Sequence, residues 1–169
     1  GTRGGVVPGS EEGVSESDPS MWLAAVDRIF EKLQKSDLPH HVISSIAVSG
    51  QQHGLVALDH EGNLTRARSK LWNDYSTHEE CRILTERVGG LEEMIEAVGN
   101  AQRTGYTAPK IFHMVRHEPE AFEKTATLFL VHNYVNWYLT DGVRVMEPGD
   151  LSGTALWNPK TKKYSALVL

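Results

Sequence analysis

The sequence predicts a mixed α/β domain. Short β-branched runs at residues 42–48 and 55–58 read as strands, and residues 22–33 carry apolar side chains at helical spacing. Gly- and Pro-marked breaks separate such segments along the chain. Because strands and helices mix without strict alternation, neither an all-helical bundle nor a β-sandwich fits. A length of 169 residues suits one domain that can bury a core.

Each element has a local reason. Residues 1–17, rich in Gly, Ser and Glu, read as loop. Asp18-Pro19 opens a helix, since Asp caps free N–H groups and Pro tolerates the first turn. Trp22, Ala25, Val26, Ile29, Phe30 and Leu33 form its apolar side, and Asp37-Leu38-Pro39 stops it. The two strands at 42–48 and 55–58 follow, then a turn at His60-Glu61-Gly62-Asn63, an extended stretch at Leu64-Thr65 and a strand around Leu71-Trp72. Ser76 with Glu79 reads as a capping box for a helix ending at Gly89-Gly90. Residues 91–98 make a second helix, Ala108-Pro109 opens a third, and Pro119 a short fourth. A strand at residues 128–131, a helix at 134–139, a turn at Asp141-Gly142 and a strand at 155–157 complete the order.

Composition excludes several function classes. Hydrophobic residues at 40% and charged residues at 23% are those of a folded globular chain. A net charge of -5 excludes a phosphate-binding basic face, so no nucleic-acid partner is expected. No apolar run reaches the roughly 20 residues of a membrane span, and no secretory signal pattern is present, so a cytoplasmic location is expected. Cys81, the one cysteine, reads as a small apolar residue on a helix face. The opening Gly1 and the closing apolar run Ala166-Leu167-Val168-Leu169 read as cut ends, so the domain is expected to be partial at both.

The candidate chemistry lies at strand ends. Ser49-Gly50-Gln51-Gln52-His53-Gly54 places amide and imidazole groups between two apolar strands, which suits a hydroxyl-rich ligand or simply a satisfied polar turn. Leu71-Trp72-Asn73-Asp74 repeats the form, with Asp74 either facing a ligand or capping the next helix. Arg103-Thr104-Gly105-Tyr106-Thr107 offers a cation and hydroxyls, or an ordinary helix entry. There is no Walker loop, dinucleotide fingerprint, nucleophile elbow or zinc helix. His113 and His117 stand four apart on one predicted helix, without a third metal ligand.

Several runs, in order, resemble one family. These are Ile46-Ala47-Val48-Ser49-Gly50-Gln51-Gln52-His53-Gly54-Leu55-Val56, Leu71-Trp72-Asn73-Asp74, Glu80-Cys81, Val88-Gly89-Gly90, Gly99-Asn100, Gly105-Tyr106-Thr107-Ala108-Pro109-Lys110 and Asp150-Leu151-Ser152-Gly153-Thr154. Together they resemble the N-terminal domain of FGGY carbohydrate kinases, in the branch that acts on xylulose, over nearly the whole chain. The resemblance implies an actin-like, ribonuclease H-like α/β domain, ATP with Mg2+ as cofactors, and a small-molecule sugar, D-xylulose first, as substrate. Ribulose, gluconate or another polyol remains the alternative, as does a non-catalytic sugar-binding module. A homodimer is left open for the longer protein.

By position, Gln52 and His53 match the family's sugar-contacting pair, where Met before His is the more usual form. Asp74 and Arg103 fall in segments that line or adjoin the same pocket. The family's phosphate-holding Asp-x-Gly-Thr hairpin and its catalytic aspartate fall outside residues 1–169, so no general base is assigned here, and the 169 residues alone are expected to be inactive.

Overall fold

Asp18 opens the first long helix. Its Oδ1 accepts hydrogen bonds from the Ser20 backbone N (2.9 Å) and Oγ (2.7 Å), satisfying a donor the helix leaves free. Helix α1 (Ser20–Gln34) follows as its apolar spacing predicts, but none of its residues is buried, and Ile29 is 64% exposed. The computed structural model describes residues 6–7 and 12–169, without the side chains of Val6, Val7 and His40.

Two strands lie where the sequence reads as loop. β1 (Val6–Val7) and β2 (Glu16–Ser17) pair antiparallel, and β2 also pairs β4 (Ser69–Lys70), giving the order β1-β2-β4. Two-residue strands carry no periodicity; their pairing is fixed from a distance. Arg66 Nη2 donates to Glu16 Oε1 at 2.5 Å, and Lys70 Nζ lies 3.6 Å from the same oxygen. β4 ends just before the expected Leu71-Trp72, although the Leu71 N–H still donates to the Ser15 carbonyl at 2.9 Å.

The expected strand at 42–48 is absent. His40–Val42 form one 3-10 turn, and residues 43–48 have no strand beside them among the described residues. A β-branched run becomes a strand only when a neighbour takes its N–H and C=O groups. Ile46, 62% exposed, instead lines an apolar groove with Trp22, Val26 and Phe30 of α1 and Val131.

β3 (Val56–Leu58) pairs antiparallel with β5 (Thr127–Phe129), and Val56, Leu58, Phe129 and Tyr134 close around them as one core. α2 (His78–Val88) ends at Gly89, and α3 (Leu91–Val98) fills the predicted span. With α4 (Thr107–His117) they form a second core of Leu84, Met94, Ala97, Val98, Ala108 and Ala155. Short α5 (Pro119–Glu123) follows, then α6 (Val131–Leu139), which starts one turn earlier than predicted. α7 (Pro148–Ser152) and the antiparallel pair β6 (Trp157–Asn158) and β7 (Lys163–Tyr164) end the order. No helix is long and apolar enough to cross a membrane among the described residues.

Candidate functional site

The predicted capping box at Ser76 does not form, and the reason leads to the site. Ser76 Oγ donates to Asp74 Oδ1 at 2.5 Å and receives Lys70 Nζ at 2.7 Å. Asp74 is fully buried, and its oxygens also accept from the backbone N–H groups of Ser15 (2.9 Å) and Ser76 (3.0 Å). Asp74 therefore lies within the framework and not on the wall of the neighbouring cavity. A buried carboxylate whose oxygens are already matched has no reason to turn to a ligand; Asp74 instead holds the loop after β4 in shape.

Beside that loop lies a cavity of about 520 Å³, lined by His53, Trp72, Tyr75, Gln102, Arg103 and Tyr106 among others. Most of its wall comes from the three strand-end and helix-entry segments singled out in the sequence, and the rest from Gln102, Tyr75 and the start of α2. Close backbone approach brings them together: a β-carbon at Gly105 would stand 2.6 Å from the Trp72 carbonyl oxygen. Trp72, 54% exposed, and Tyr106 were missed as site residues. An aromatic at a strand end reads from sequence as core, and only its exposure here shows otherwise.

His53 is half buried and borders the cavity. Its backbone is left-handed, with φ 61°, a conformation uncommon outside glycine. The ring tilts against Tyr106 at a centroid distance of 4.9 Å and rests on Gly153, where a β-carbon would meet its Cε1 at 2.3 Å. The Lys110 ammonium holds the turn from below, donating to the carbonyls of His53 and Gly105, each at 2.6 Å. Burial, and then the nearby Lys110 charge, lower the His53 pKa against the opposing pull of Asp150, so the ring is neutral at pH 7. Burial brings Lys110 down to about 7, aided by Lys70 and resisted by Asp74.

Gln52 is exposed and its Nε2 donates to Asp150 Oδ1 at 3.3 Å, while Arg103 is exposed on the cavity wall. The structure thus brings His53 and Arg103 to one cavity, places Gln52 beside it in a smaller one shared with Trp72, and leaves Asp74 inside the framework. Two lining residues carry buried polar atoms without hydrogen-bond partners, His53 Nδ1 and Gln102 Oε1. Cys81 also lines the cavity, but burial and the Glu80 charge push its thiol up to about 11, which leaves it protonated and unreactive.

Aromatic faces next to unmatched polar atoms suit a small polyol. Comparison with known proteins agrees: the sequence model of the FGGY family of carbohydrate kinases, N-terminal domain, matches residues 7–169. The chain belongs to the FGGY family of carbohydrate kinases.

Within it, the chain is 35% identical over 154 residues to a xylulose kinase of Bacillus subtilis, covering 90% of this chain and 30% of that protein. A xylulose kinase of Streptomyces rubiginosus is 34% identical, with 91% and 31% covered. The chain thus spans about a third of the length of these FGGY relatives. Among solved structures, a xyloylose kinase from Brucella ovis superposes with a TM-score of 0.84 at 28% identity, over 97% of this chain and 33% of that one. The predicted class, the actin-like, ribonuclease H-like N-terminal domain of a sugar kinase, is the fold of these FGGY enzymes. A gluconate kinase from Lactobacillus acidophilus reaches a TM-score of 0.82 at 23% identity, so the FGGY fold by itself does not choose the sugar.

Proposed function

We propose that this chain forms the sugar-binding part of a kinase that phosphorylates a ketopentose, D-xylulose to D-xylulose 5-phosphate. The carrying observation is His53. A neutral imidazole in a left-handed turn, pinned by Lys110, borders an aromatic-walled cavity and keeps a nitrogen without a partner. Strained backbone held by surrounding contacts clusters where geometry must be preset for a ligand.

In this reading Trp72 and Tyr106 cover the apolar faces of the sugar. His53, Gln102 and Arg103 meet its hydroxyls, and Gln52 borders the end nearest Asp150. Each hydroxyl can donate and accept, so a buried atom left unmatched by a wrong sugar costs about 1–3 kcal/mol, the source of selectivity. These residues bind and orient the acceptor hydroxyl. ATP with Mg2+ is the phosphoryl donor implied by the family, but the lining residues do not fit a triphosphate, since Arg103 is the one guanidinium or ammonium group among them. No step through the nucleotide is assigned to this chain.

The names of the Bacillus and Streptomyces relatives favour xylulose. Gln52, at the position where Met is more usual, favours a second reading in which the sugar is ribulose, gluconate or a related polyol. Calorimetric titration of the chain with D-xylulose, D-ribulose, D-gluconate and glycerol tests both. Tightest binding of D-xylulose, weakened in His53→Ala and Trp72→Ala, is the expected result. Preference for another sugar removes the xylulose assignment, and binding indifferent to both substitutions removes the site. No ADP release is expected from the 169 residues with ATP and D-xylulose, because they span only a third of the relatives' length.

A further inference from the structure

His132, the second residue of α6, packs against the segment that carries His53. Gly50 presses against it, so that a β-carbon there would stand 3.0 Å from His132 Cβ. The imidazole is sealed in, with 9% of its side chain exposed. Two carboxylates flank the ring: Nε2 is 3.2 Å from Glu147 Oε2, and Nδ1 is 3.1 Å from Asp150 Oδ2.

A neutral imidazole has one N–H for these two anionic neighbours. The other nitrogen then needs a donor or a cation: Nε2 has a donor in the Asn133 amide, whose Nδ2 stands 3.1 Å away, whereas Nδ1 has none among the described residues. The geometry singles out Nδ1. It is buried and makes no hydrogen bond, because the Asp150 oxygen lies within ion-pair distance but off the hydrogen-bond line. A metal ion accounts for that offset: with bonds of about 2.1 Å, donors 3.1 Å apart meet at roughly 95° around an ion displaced from the line joining them.

We propose that His132, Asp150 and Glu147 form a binding site for one first-row divalent cation. Ligand atoms of the three residues all lie within 4.8 Å of one another. Glu147, the N-cap of α7, now rests beside Nε2, but with 54% of its side chain exposed it is free to swing an oxygen into the third position, and water completes the shell. Imidazole with carboxylates suits Zn2+ or its first-row neighbours rather than Ca2+, which prefers all-oxygen cages. The ion joins the start of α6 to α7. Through the Asp150–Gln52 hydrogen bond it also steadies the turn before His53.

The test is calorimetric titration of the 169-residue chain with ZnCl2, with no sugar or nucleotide present, so that it stands apart from the kinase reading. One ion per chain is expected, with affinity reduced at least about tenfold in His132→Gln, Asp150→Asn and Glu147→Gln. His113→Ala/His117→Ala, which removes the adjacent histidine pair of α4, is expected to bind as the parent does. Thermal melting checks that each variant folds. Should buried His132→Gln fail to fold, the two carboxylate variants decide. Absence of Zn2+ binding overturns the proposal. So does binding that all three substitutions leave unchanged.

Discussion

Lys110 Nζ donates to the His53 carbonyl at 2.6 Å, and it joins that turn to Gly105 by a second bond of the same length. A buried amine thus ties together two segments that stand 52 residues apart, by the difference of positions 105 and 53. Neither segment has regular secondary structure at the cavity, so this clamp does what a ladder of backbone bonds does elsewhere in the fold.

Lys110→Met keeps the stem and deletes the donors. Each orphaned carbonyl costs about 1–3 kcal/mol, so a lower melting temperature is expected together with weaker sugar binding. A variant as stable as the parent would show that the two carbonyls find other donors at no cost.

Lys110 also predicts a pH dependence. Its folded pKa of about 7 lies below the unfolded value, so between them the unfolded chain holds the extra proton. Stability therefore rises with pH above 7, relative to Lys110→Met. Denaturation curves for both proteins at pH 6.5, 7.5 and 8.5 measure the difference; parallel behaviour would place the ammonium outside the buried site.

His53 should titrate below 6.5, because burial and Lys110 both disfavour its cation. Its proton NMR signals are expected to give a midpoint under that value, and Lys110→Met should move the midpoint upward. A midpoint indifferent to the substitution would break the link between the two residues.

Gly153→Ala drives a methyl into the His53 ring, since the new carbon would lie 2.3 Å from Cε1. Overpacking of this kind costs about 1–3 kcal/mol, and the displaced ring should lose its sugar contact. Gly149→Ala, four residues earlier within α7, which Gly153 caps, meets nothing within 4 Å and serves as the control. Equal effects from the two would show that the ring has room to move.

Arg66→Met tests how the N-terminal strand is held. The guanidinium reaches Glu16 at 2.5 Å and both oxygens of Glu118 at 2.9 Å, linking β2 to the helix start at Pro119. Removing it strands two partly covered carboxylates, and a loss of about 2 kcal/mol in equilibrium denaturation is expected, short of a fully buried pair. No loss would mean that Lys70 and Arg68 carry Glu16 without it.

The site was legible in the sequence where the signal was local. Gly50 and Gly54 could be read as turn residues at a strand end and Gly105 as part of a helix entry, and Arg103 with His53 does reach one cavity. Asp74 could not be placed from sequence, because a carboxylate after a strand reads alike whether it meets a ligand or its own loop. Trp72 and Gln102 carried no signal, since exposure and unmatched atoms exist only once the chain is packed.

By itself the sequence determined the long helices and their stops, because apolar spacing, Pro and Gly act within a few residues. Family membership was legible for the same reason, carried by short motifs in order. Tertiary structure decided what depends on distant partners. The apolar run 43–48 is no strand without a neighbour, while Glu16–Ser17 becomes one because Ser69–Lys70 lies beside it. Backbone pairing and the seating of a buried charge are settled between residues far apart in the chain, where no local pattern reaches.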